Sequence, residues 1–510
     1  MTLKLQAAEI LKQEGVLKQG GGEKGKERQK RLGRLTARER LDRLLDDPTH
    51  FFELNLWAAW KMYPEWGELP AAGVITGIGK VSNRTAMIIA NDATVKAGAF
   101  FPQSVKKVLR AQRIAYECRL PLIYLVDSSG VFLPMQDEIF PDEDDFGRIF
   151  RNNAILSAEG VPQIAAIMGN CIAGGGYLPV LCDKLLMTEG SGLYLAGPAL
   201  VKAAIGQVVD TEALGGAAMH ASISGTVDFL EKDDHSCLKT IRKLVKALPE
   251  DPSTSAMKEP GSLDKIYEKV ADKEYDVKGL LDEILDKDSF QEFKAEYGKT
   301  IVCGYGEIGG MPVALVANQK KRQMTGKGEV EIGGVLYTES ADKAARFVMD
   351  VNQTRVPLIF FQDVMGFMVG KEAEQSGIIR AGAKLVSAVS NSIVPKITVI
   401  VGSSFGAGNY ALCGKAYDPN FILAWPNSKY AVMGANQAAE VLEQLKKEAD
   451  TSLVRKKYLE QTDIRYGAAR GWVDAIIAPH QTRPALHELL QWVKRAPFAH
   501  RRFHTGVLQT

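Results

Sequence analysis

Residues 119–130 read RLPLIYLVDSSG, and residues 355–366 read RVPLIFFQDVMG, so one pattern recurs after 236 positions. A second pair follows in the same order, with VPQIAAIMG at 161–169 and VPKITVIVG at 394–402, 233 positions apart. Matching side chains flank these stretches, namely Ser104 and Lys107 with Ser340 and Lys343, and Asp183 with Asp418. Collinear matches at nearly one spacing predict a tandem duplication of a whole domain, because the period is far too long for a solenoid.

Each half repeats the same order of elements. An apolar run of strand length leads into a glycine-bearing loop, which a helix-like segment follows. Strands that alternate with helices predict an α/β layered fold in both halves. A long polar stretch from about 248 to 279, which begins LPEDPSTSAMKEPGS, is typical of a linker. We therefore predict an N-terminal domain over residues 1–250, with a helical extension at its start, and a C-terminal domain over residues 251–510.

Composition excludes several classes of protein. The chain has 510 residues, of which 46% are apolar, and its Lys+Arg 63 against Asp+Glu 61 give a net charge of +2. Such a balance provides no field for nucleic acid, and no apolar run reaches the roughly 18 residues of a membrane span. The six cysteines contain no C-x-x-C pair, which favours reduced thiols over a zinc ribbon. We predict a cytoplasmic protein with no nucleic-acid partner, no metal and no direct membrane insertion.

The first 50 residues are polar and helix-like. They show no secretory signal and no clear transit peptide, although a mitochondrial matrix location stays open for a eukaryotic source. Gly20-Gly21-Gly22 separates a first helix from a second, strongly charged one over residues 23–45. An apolar stripe marks the buried face of that second helix, at Leu35, Leu41, Leu44 and Leu45. We expect its arginines and lysines to form a solvated face, with phosphate binding as the alternative.

The strongest local signal is the segment GNCIAGGGY at 169–177. Three glycines directly after a buried strand let a ligand approach the backbone, whose N–H groups can then point at it. Such donors suit a developing oxyanion, although a tight turn would also explain an isolated glycine triplet. The duplicate segment GSSFGAGNY at 402–410 keeps small residues at the same places, since Ala407 aligns with Gly174 and Gly408 with Gly175. Two copies of one donor loop favour the functional interpretation.

Three other patterns are weaker. Residues 402–406 fit the G-x-S-x-G nucleophile elbow of serine hydrolases, but the duplicate carries Cys171 in place of Ser404 and no histidine presents itself as the base. Ala256-Met257-Lys258 is similar to the start of a biotin-attachment motif, yet it stands in the linker without a surrounding domain. The acidic side chains between Asp137 and Asp145 are typical of a solvated loop rather than of a calcium site.

Further motifs carry a resemblance to a known family. VDSSG at 126–130, IAAIMGNCIAGGG at 164–176 and LCD at 181–183 resemble the crotonase superfamily of acyl-CoA enzymes. A second set narrows this resemblance, namely GGGEK at 20–24, TARER at 36–40, NDATVK at 91–96, FPD at 140–142, FGRIF at 146–150, GFMVG at 366–370 and GAGNY at 406–410. Over about residues 15–495 the chain resembles the carboxyltransferase (β) subunit of biotin-dependent acyl-CoA carboxylases, with the 3-methylcrotonoyl-CoA carboxylase branch nearest.

The resemblance implies two tandem crotonase-like (ββα-spiral) domains and an enzyme that moves a carboxyl group between carboxybiotin and an acyl-CoA. The biotin nitrogen freed as CO2 leaves would take the substrate proton, so no protein base is required. The chain itself would supply two oxyanion holes, from Gly174 and Gly175 for the thioester enolate and from Ala407 and Gly408 for the ureido oxygen of biotin. The substrate-binding positions implied with them are Lys96, Ala97, Gly98, Ser129, Gly130, Ala173, Gly197, Gly366 and Phe367.

The resemblance also implies partners. Biotin would be carried on a separate protein, so that a biotin carboxylase and a biotin carboxyl carrier subunit complete the enzyme. The implied substrate is a short branched or unsaturated acyl-CoA such as 3-methylcrotonoyl-CoA. The implied assembly is a homohexamer, with active sites between the N-half of one subunit and the C-half of another.

Two departures from the family pattern bear on the substrate and on the direction of the reaction. Segment 320–332, KKRQMTGKGEVEI, looks like an insertion of the kind found in glutaconyl-CoA decarboxylase α subunits, and we predict a surface loop near a subunit or partner boundary. Ser129 stands where many carboxylases have a second glycine. The carboxyltransferase subunit of a sodium-pumping decarboxylase is therefore the alternative. A crotonase-type hydratase or isomerase would need a carboxylate near the Gly174 loop, and a non-catalytic scaffold would not need intact donor loops in both halves.

Overall fold

A computed structural model describes residues 2–251, 264–326, 328–434, 438, 451–496 and 502–506, without the side chains of residues 173, 174, 199 and 451–454. The chain divides into two compact units. The first unit comprises Gln13–Pro252 and Ala469–Gly471, and the second comprises Met1–Lys12, Ser253–Ala468 and Trp472–Thr510. The sequence does not predict the grouping of residues 1–12 with the second unit. None of the helices in the described ranges combines the length and the apolar character of a membrane span.

The first unit is built on a mixed sheet. Its strands are β1 (Phe52–Leu54), β2 (Val74–Val81), β3 (Arg84–Asn91), β4 (Leu122–Ser128), β5 (Gln163–Ile172), β6 (Lys184–Thr188), β7 (Gly192–Tyr194) and β8 (Phe229–Glu231). The order across the sheet is β1-β2-β3-β4-β5-β6-β8, with β7 paired to the end of β5. Pairing is antiparallel from β1 to β3 and parallel from β3 onward. β4 is buried along its whole length, as its continuous apolar run requires for a central parallel strand.

The second unit repeats this sheet. Its strands and two short pairs are β9 (Gln291–Phe293), β10 (Ile301–Ile308), β11 (Met311–Asn318), β12 (Gln323–Met324), β13 (Val330–Glu331), β14 (Val335–Leu336), β15 (Leu358–Val364), β16 (Gly366–Phe367), β17 (Lys396–Phe405), β18 (Phe421–Ala424), β19 (Lys429–Ala431) and β20 (Ala475–Ile476). The order is β20-β18-β17-β15-β11-β10-β9, and β19 pairs with the end of β17. The predicted tandem duplication of an α/β domain is therefore confirmed, since β15 and β17 take the places of β4 and β5.

Helices cover the sheets in both units. Those of the N-terminal half are α1 (Leu3–Leu17), α2 (Gly22–Arg31), α3 (Ala37–Leu44), α4 (Pro102–Cys118), α5 (Phe146–Ala158), α6 (Tyr177–Val180), α7 (Pro198–Ile205), α8 (Thr211–Gly215), α9 (Ala217–Ser222) and α10 (Asp234–Lys246). Those of the C-terminal half are α11 (Lys265–Lys269), α12 (Val277–Ile284), α13 (Thr338–Thr354), α14 (Lys371–Gln375), α15 (Ile378–Asn391), α16 (Gly406–Ala411), α17 (Thr451–Thr462), α18 (Ile464–Ala469) and α19 (Thr482–Val493). The duplicates α4 and α13 end alike, because Arg119 and Arg355 adopt the left-handed conformation at their C-caps.

The charged N-terminal segment is two helices rather than the single helix that its sequence predicts. The break after α2 includes Gly33, with a φ of +69°, and α3 then begins behind a capping box in which Thr36 and Glu39 bond reciprocally to each other's backbone. The predicted apolar stripe is confirmed, since Leu41, Leu44 and Leu45 are buried in the core of the first unit and Leu35 packs against it.

The structure describes part of the predicted linker and most of the insertion. Between α10 and α11, residues 252–263 lie outside the described part of the chain, and with them the Ala256-Met257-Lys258 segment. The insertion carries the hairpin of β12 and β13, in which Met324 and Val330 are more than half exposed. Other parts of the insertion are less open, because Glu331 is buried and Lys320 makes a partly buried ion pair.

Candidate active site

Asp127 is a buried carboxylate at the penultimate position of β4. Its Oδ1 accepts the N–H of Asn170 on β5 at 3.2 Å. The intervening Gly169 makes room for this contact, because a Cβ there would collide with the carboxylate. Asp127 therefore joins β4 to β5 just before each strand enters its loop.

Residues 96–98 form a tight turn against the end of β4. Lys96, Ala97 and Gly98 have φ values of +47°, +54° and +68°, a run of left-handed conformations that non-glycine residues rarely adopt. The turn is fixed by two bonds, from Ser128 Oγ to the Gly98 carbonyl at 2.7 Å and from the Ser129 N–H to the Ala97 carbonyl at 3.1 Å. The structure thus brings the two predicted groups 96–98 and 129–130 together, with the Lys96 side chain exposed.

The glycine loop of the first unit follows β5 directly. Ala173–Gly176 form one 3₁₀ turn, and α6 begins at Tyr177. A Cβ at Gly130 would lie 3.2 Å from the Ile172 carbonyl oxygen, and one at Gly175 would lie 3.9 Å from the Cα of Gly130. The loop therefore adjoins Gly130, as the prediction of a shared site requires. Gly197, by contrast, caps α7, and a Cβ on it would meet no described atom within 4 Å.

An aromatic cluster stands beside this loop. The ring of Phe146 lies 3.9 Å from the Cβ position of Gly175 and 4.9 Å, between centroids, from the ring of Phe100. Phe101 stacks on Phe132 at 4.2 Å, and the ring of Phe150 lies 4.9 Å from that of Phe146. The glycine loop thus has an apolar neighbour, which sequence reasoning noted only as part of a motif.

The second unit places its predicted residues in the same way. Gly366 and Phe367 form β16, which pairs with β14. Gly408 lies against them, since a Cβ on it would be 3.4 Å from the Cα of Gly366 and 2.5 Å from the Val364 side chain. Gly366 itself has a φ of +129°, and a Cβ there would meet no described atom within 4 Å, so this side of Gly366 faces open space.

Ala407 and Gly408 occupy the first turn of α16. The first N–H groups of an α-helix have no acceptor within the helix, because each would need a carbonyl four residues earlier. Ala407 is exposed and Gly408 is buried. Two backbone donors beside an open glycine surface suit the binding of an electron-rich oxygen.

Asp363 repeats the position of Asp127. It is the penultimate residue of β15, and its Oδ1 accepts the Ser403 N–H at 2.8 Å. Gly402 makes room for it as Gly169 does for Asp127. Lys320 of the insertion binds the same oxygen at 2.8 Å, and Tyr275 donates to Oδ2 at 3.3 Å.

Arg40 is buried, so the prediction of a solvated basic face is wrong for this residue. Its Nε lies 2.9 Å from Asp234, its Nη2 lies 3.4 Å from Asp127, and the same nitrogen donates to the Met168 carbonyl at 2.8 Å. Gln29 on α2 adds a bond to Asp127 at 3.2 Å. Sequence reasoning missed these contacts, although the recurrence of the aspartate within the repeated stretch was a usable signal.

The carboxylate near the first glycine loop is therefore committed to an ion pair. Asp127 accepts from Arg40, Gln29 and Asn170 and is almost fully buried, so it is not presented as the base that a crotonase-type hydratase would need. Cys171 beside it is no nucleophile either, because burial raises the pKa of its thiol to about 12.

The fold and its paired loops define a class of enzyme. The family model described as carboxyl transferase domain matches residues 28–505, and the chain belongs to this family. The predicted enzyme class, an acyl-CoA carboxyltransferase, is thereby confirmed.

Individual relatives narrow the class. The beta1 subunit of the biotin-dependent 3-methylcrotonyl-coenzyme A carboxylase of Mycobacterium tuberculosis is 44% identical, over 94% of this chain and 92% of that protein. The mitochondrial beta chain of methylcrotonoyl-CoA carboxylase from Arabidopsis thaliana is 42% identical, over 95% and 85%. The methylmalonyl-CoA decarboxylase subunit alpha of Veillonella parvula is 34% identical, over 95% and 96%.

A solved structure agrees with these relatives. The beta subunit of geranyl-CoA carboxylase from P. aeruginosa superposes with a TM-score of 0.87 and 33% identity, covering 100% of this chain and 96% of that one. The likeness confirms the predicted fold of two crotonase-like domains in tandem.

Proposed function

We propose that this chain is the carboxyltransferase subunit of a biotin-dependent acyl-CoA carboxylase. It moves a carboxyl group between carboxybiotin, held on a separate carrier protein, and a short branched or unsaturated acyl-CoA such as 3-methylcrotonoyl-CoA. The observation that carries this proposal is the repetition of one donor loop at equivalent ends of two duplicated sheets. The 44% identity to a 3-methylcrotonyl-coenzyme A carboxylase subunit supports the choice of acyl group.

The first unit holds the acyl-CoA in this proposal. The backbone N–H groups of Gly174 and Gly175 stabilise the thioester oxygen as it gains negative charge, and the turn over Lys96, Ala97 and Gly98 with Ser129, Gly130 and Ala173 shapes the pocket. The rings of Phe100 and Phe146 beside the loop suit a small apolar acyl chain. Gly197 is assigned to this pocket by the family resemblance alone.

The second unit holds the biotin group. When bound, carboxybiotin supplies the carboxyl group that is transferred. The backbone at Gly366 is open on the side where a Cβ would stand, and Ala407 and Gly408 offer their N–H groups beside it to the ureido oxygen. Phe367 is assigned to this surface by the family resemblance, and its ring packs on α15, 3.1 Å from the Cβ position of Gly382.

The partners of the chain follow from this division of labour. A biotin carboxylase and a biotin carboxyl carrier subunit deliver the carboxyl group, and the active form is a homohexamer. Exposed apolar side chains support an assembly, including Leu195, Leu200, Ile205, Val208 and Ile223 in the first unit. The mitochondrial matrix or the cytoplasm is the proposed compartment, in line with a mitochondrial relative and a bacterial one.

Transfer of labelled carboxyl groups from a carboxylated carrier tests the proposal. A panel of acyl-CoA substrates is offered to the purified chain, and we expect 3-methylcrotonoyl-CoA to be carboxylated fastest. The chain alone should give no signal with avidin and no ATP-dependent carboxylation until a biotin carboxylase and a carrier are added. Absence of transfer to every acyl-CoA would refute the proposal.

A second candidate is the carboxyltransferase subunit of a sodium-pumping decarboxylase. The 34% identity to a decarboxylase α subunit favours it to a lesser degree. The same loops serve both directions of transfer, so the discriminating observation is the partner. Copurification with a protein of many membrane spans would favour the decarboxylase.

A further inference from the structure

Asp127 and Asp363 form a matched pair of buried carboxylates that the proposed chemistry does not use. They stand 236 residues apart, each at the penultimate position of its strand. Each accepts the N–H of the residue that follows a glycine on the neighbouring strand, at 3.2 Å for Asn170 and at 2.8 Å for Ser403. A buried carboxylate is costly unless it is paired and hydrogen-bonded, so its presence in both units calls for a role.

Each aspartate lies where the loops of its unit meet. The turn at Gly98 packs on the Asp127 carbonyl, where a Cβ would collide, and the turn at Gly334 packs on the Asp363 carbonyl, where a Cβ would lie at 2.9 Å. Three residues after each aspartate comes a glycine of the site, Gly130 in one unit and Gly366 in the other. A shift of either aspartate would therefore displace both the turn that packs on its carbonyl and the loop that follows it in the chain.

The cations that hold the aspartates come from segments outside the repeated stretches. Asp127 faces Arg40 of the N-terminal helix α3, whose guanidinium also bonds to Asp234 and to the Met168 carbonyl, and Arg34 lies 3.8 Å from the other oxygen of Asp127. Asp363 faces Lys320, the first residue of the insertion, at 2.8 Å. The two halves thus reach the same arrangement with different added segments.

We propose that Asp127 with Arg40, and Asp363 with Lys320, are positioning pairs that hold the site loops of their own units in register. The insertion at 320–332 is then a working part of the site through Lys320. The kinetic consequence rests on the proposed function, in which the first unit binds acyl-CoA and the second binds the biotin group. The structural consequence, that each pair holds the loops of its own unit, does not rest on the proposed function.

The kinetic test uses the assembled enzyme with its carboxylated carrier. Asp127→Asn and the milder Arg40→Lys should raise the KM for acyl-CoA at least fivefold and leave the KM for the carrier within twofold. Asp363→Asn and Lys320→Met should raise the KM for the carrier at least fivefold and leave the KM for acyl-CoA within twofold. Lys320→Arg keeps the positive charge, so its KM for the carrier should stay close to that of the wild type. The matched control is Asp474→Asn, because Asp474 is also buried, pairs with Lys415 at 2.8 Å and accepts the Ile422 N–H at 2.9 Å. Ile422 lies near the start of β18, whereas Asp363 lies near the end of the parallel strand β15.

Hydrogen exchange of the backbone keeps the proposal testable whatever the activity. Asp127→Asn should speed exchange at least fivefold over residues 128–132 and not over 364–368, and Asp363→Asn should do the reverse. A wild type that transfers no carboxyl group would refute the proposed function, and the exchange result would still decide on the positioning pairs. Changes no larger than those of Asp474→Asn, or equal changes in both units, would overturn the inference.

Discussion

The hydroxyl of Ser404 donates a 2.6 Å hydrogen bond to Oε1 of Gln362 in the core of the second unit. It also accepts a bond from Nδ2 of Asn409 at 2.7 Å, while Gln362 donates to the Leu412 carbonyl at 2.6 Å. Ser404 is fully buried and joins β17 to β15 and to α16. The G-x-S-x-G pattern at 402–406 is therefore a structural hydroxyl in a glycine-rich turn, and not a nucleophile elbow.

Removing this hydroxyl should cost stability rather than catalysis. Ser404→Ala leaves the Gln362 oxygen and the Asn409 amide each short of a partner, so the free energy of unfolding should fall by about 1–3 kcal/mol. Carboxyl transfer should fall less than tenfold in the assembled protein. Urea denaturation and the transfer assay measure the two quantities, and a stable but inactive variant would show that the hydroxyl takes part in the chemistry.

Arg40 and Arg43 offer a matched comparison on α3. Arg40→Met removes the ion pair of Asp234 and leaves Asp127 with only the longer contact to Arg34 at 3.8 Å, so the free energy of unfolding should fall by about 3–5 kcal/mol. Arg43 is exposed, and Arg43→Met should change it by less than about 0.5 kcal/mol. Equal effects of the two substitutions would contradict the buried network described for Arg40.

The insertion should be dispensable at its tip and not at its base. Deleting residues 322–330 removes the exposed hairpin but keeps Lys320, so we expect soluble, assembled protein. Deleting 320–332 also removes the partner of Asp363 and the backbone on which Gly333 packs, so its melting temperature should fall well below that of the shorter deletion. Insoluble protein from the shorter deletion would show that the tip belongs to the core.

Lys107 should make stability rise with pH. Its Nζ donates to the Ala71 carbonyl at 3.1 Å, and burial lowers the pKa of this ammonium group to about 7 from the ordinary 10.5. Between these two values the unfolded chain binds more protons than the native one, so the free energy of unfolding increases with pH over this window.

The expected size follows from about 1.4 kcal/mol per pH unit for a full proton difference. From pH 7 to pH 9 the wild type should gain about 2 kcal/mol relative to Lys107→Met, as measured by urea denaturation. Parallel pH curves for the two proteins would show that Lys107 is charged in the native state.

Much of the fold could be predicted because short sequence patterns specify its strands and loops. The repeat that aligns Asp127 with Asp363 locates β4, β5, β15 and β17, and the glycine-rich segments 174–176 and 406–408 locate the loops that follow. The capping box of Thr36 and Glu39 is also recognisable in the sequence, and it predicts that a second helix begins within the charged segment. A short stretch of sequence is enough to predict a feature that consists of a single strand or a single turn.

The remainder depends on contacts between distant segments. Arg40 stands in a strongly charged segment that is typical of a surface helix. Its burial is explained by Asp127 and Asp234, which lie 87 and 194 residues away along the chain. Lys320 likewise reads as part of a basic surface loop until Asp363 is placed beside it. Such partners are set by tertiary packing, which overrides the local preference for a solvated charge.

The rate of carboxyl transfer by Gly408→Val, compared with Ser404→Ala, tests the central claim most directly. Valine at 408 would press on Val364, 2.5 Å from the new Cβ, and displace the donors of α16. Losing one oxyanion donor typically lowers the rate by about 10²–10³, or ~3–4 kcal/mol of transition-state stabilisation. With the oligomer shown to be intact in each variant, we predict that loss for Gly408→Val and less than a tenfold loss for Ser404→Ala. An active Gly408→Val together with an inactive Ser404→Ala would contradict the proposed mechanism.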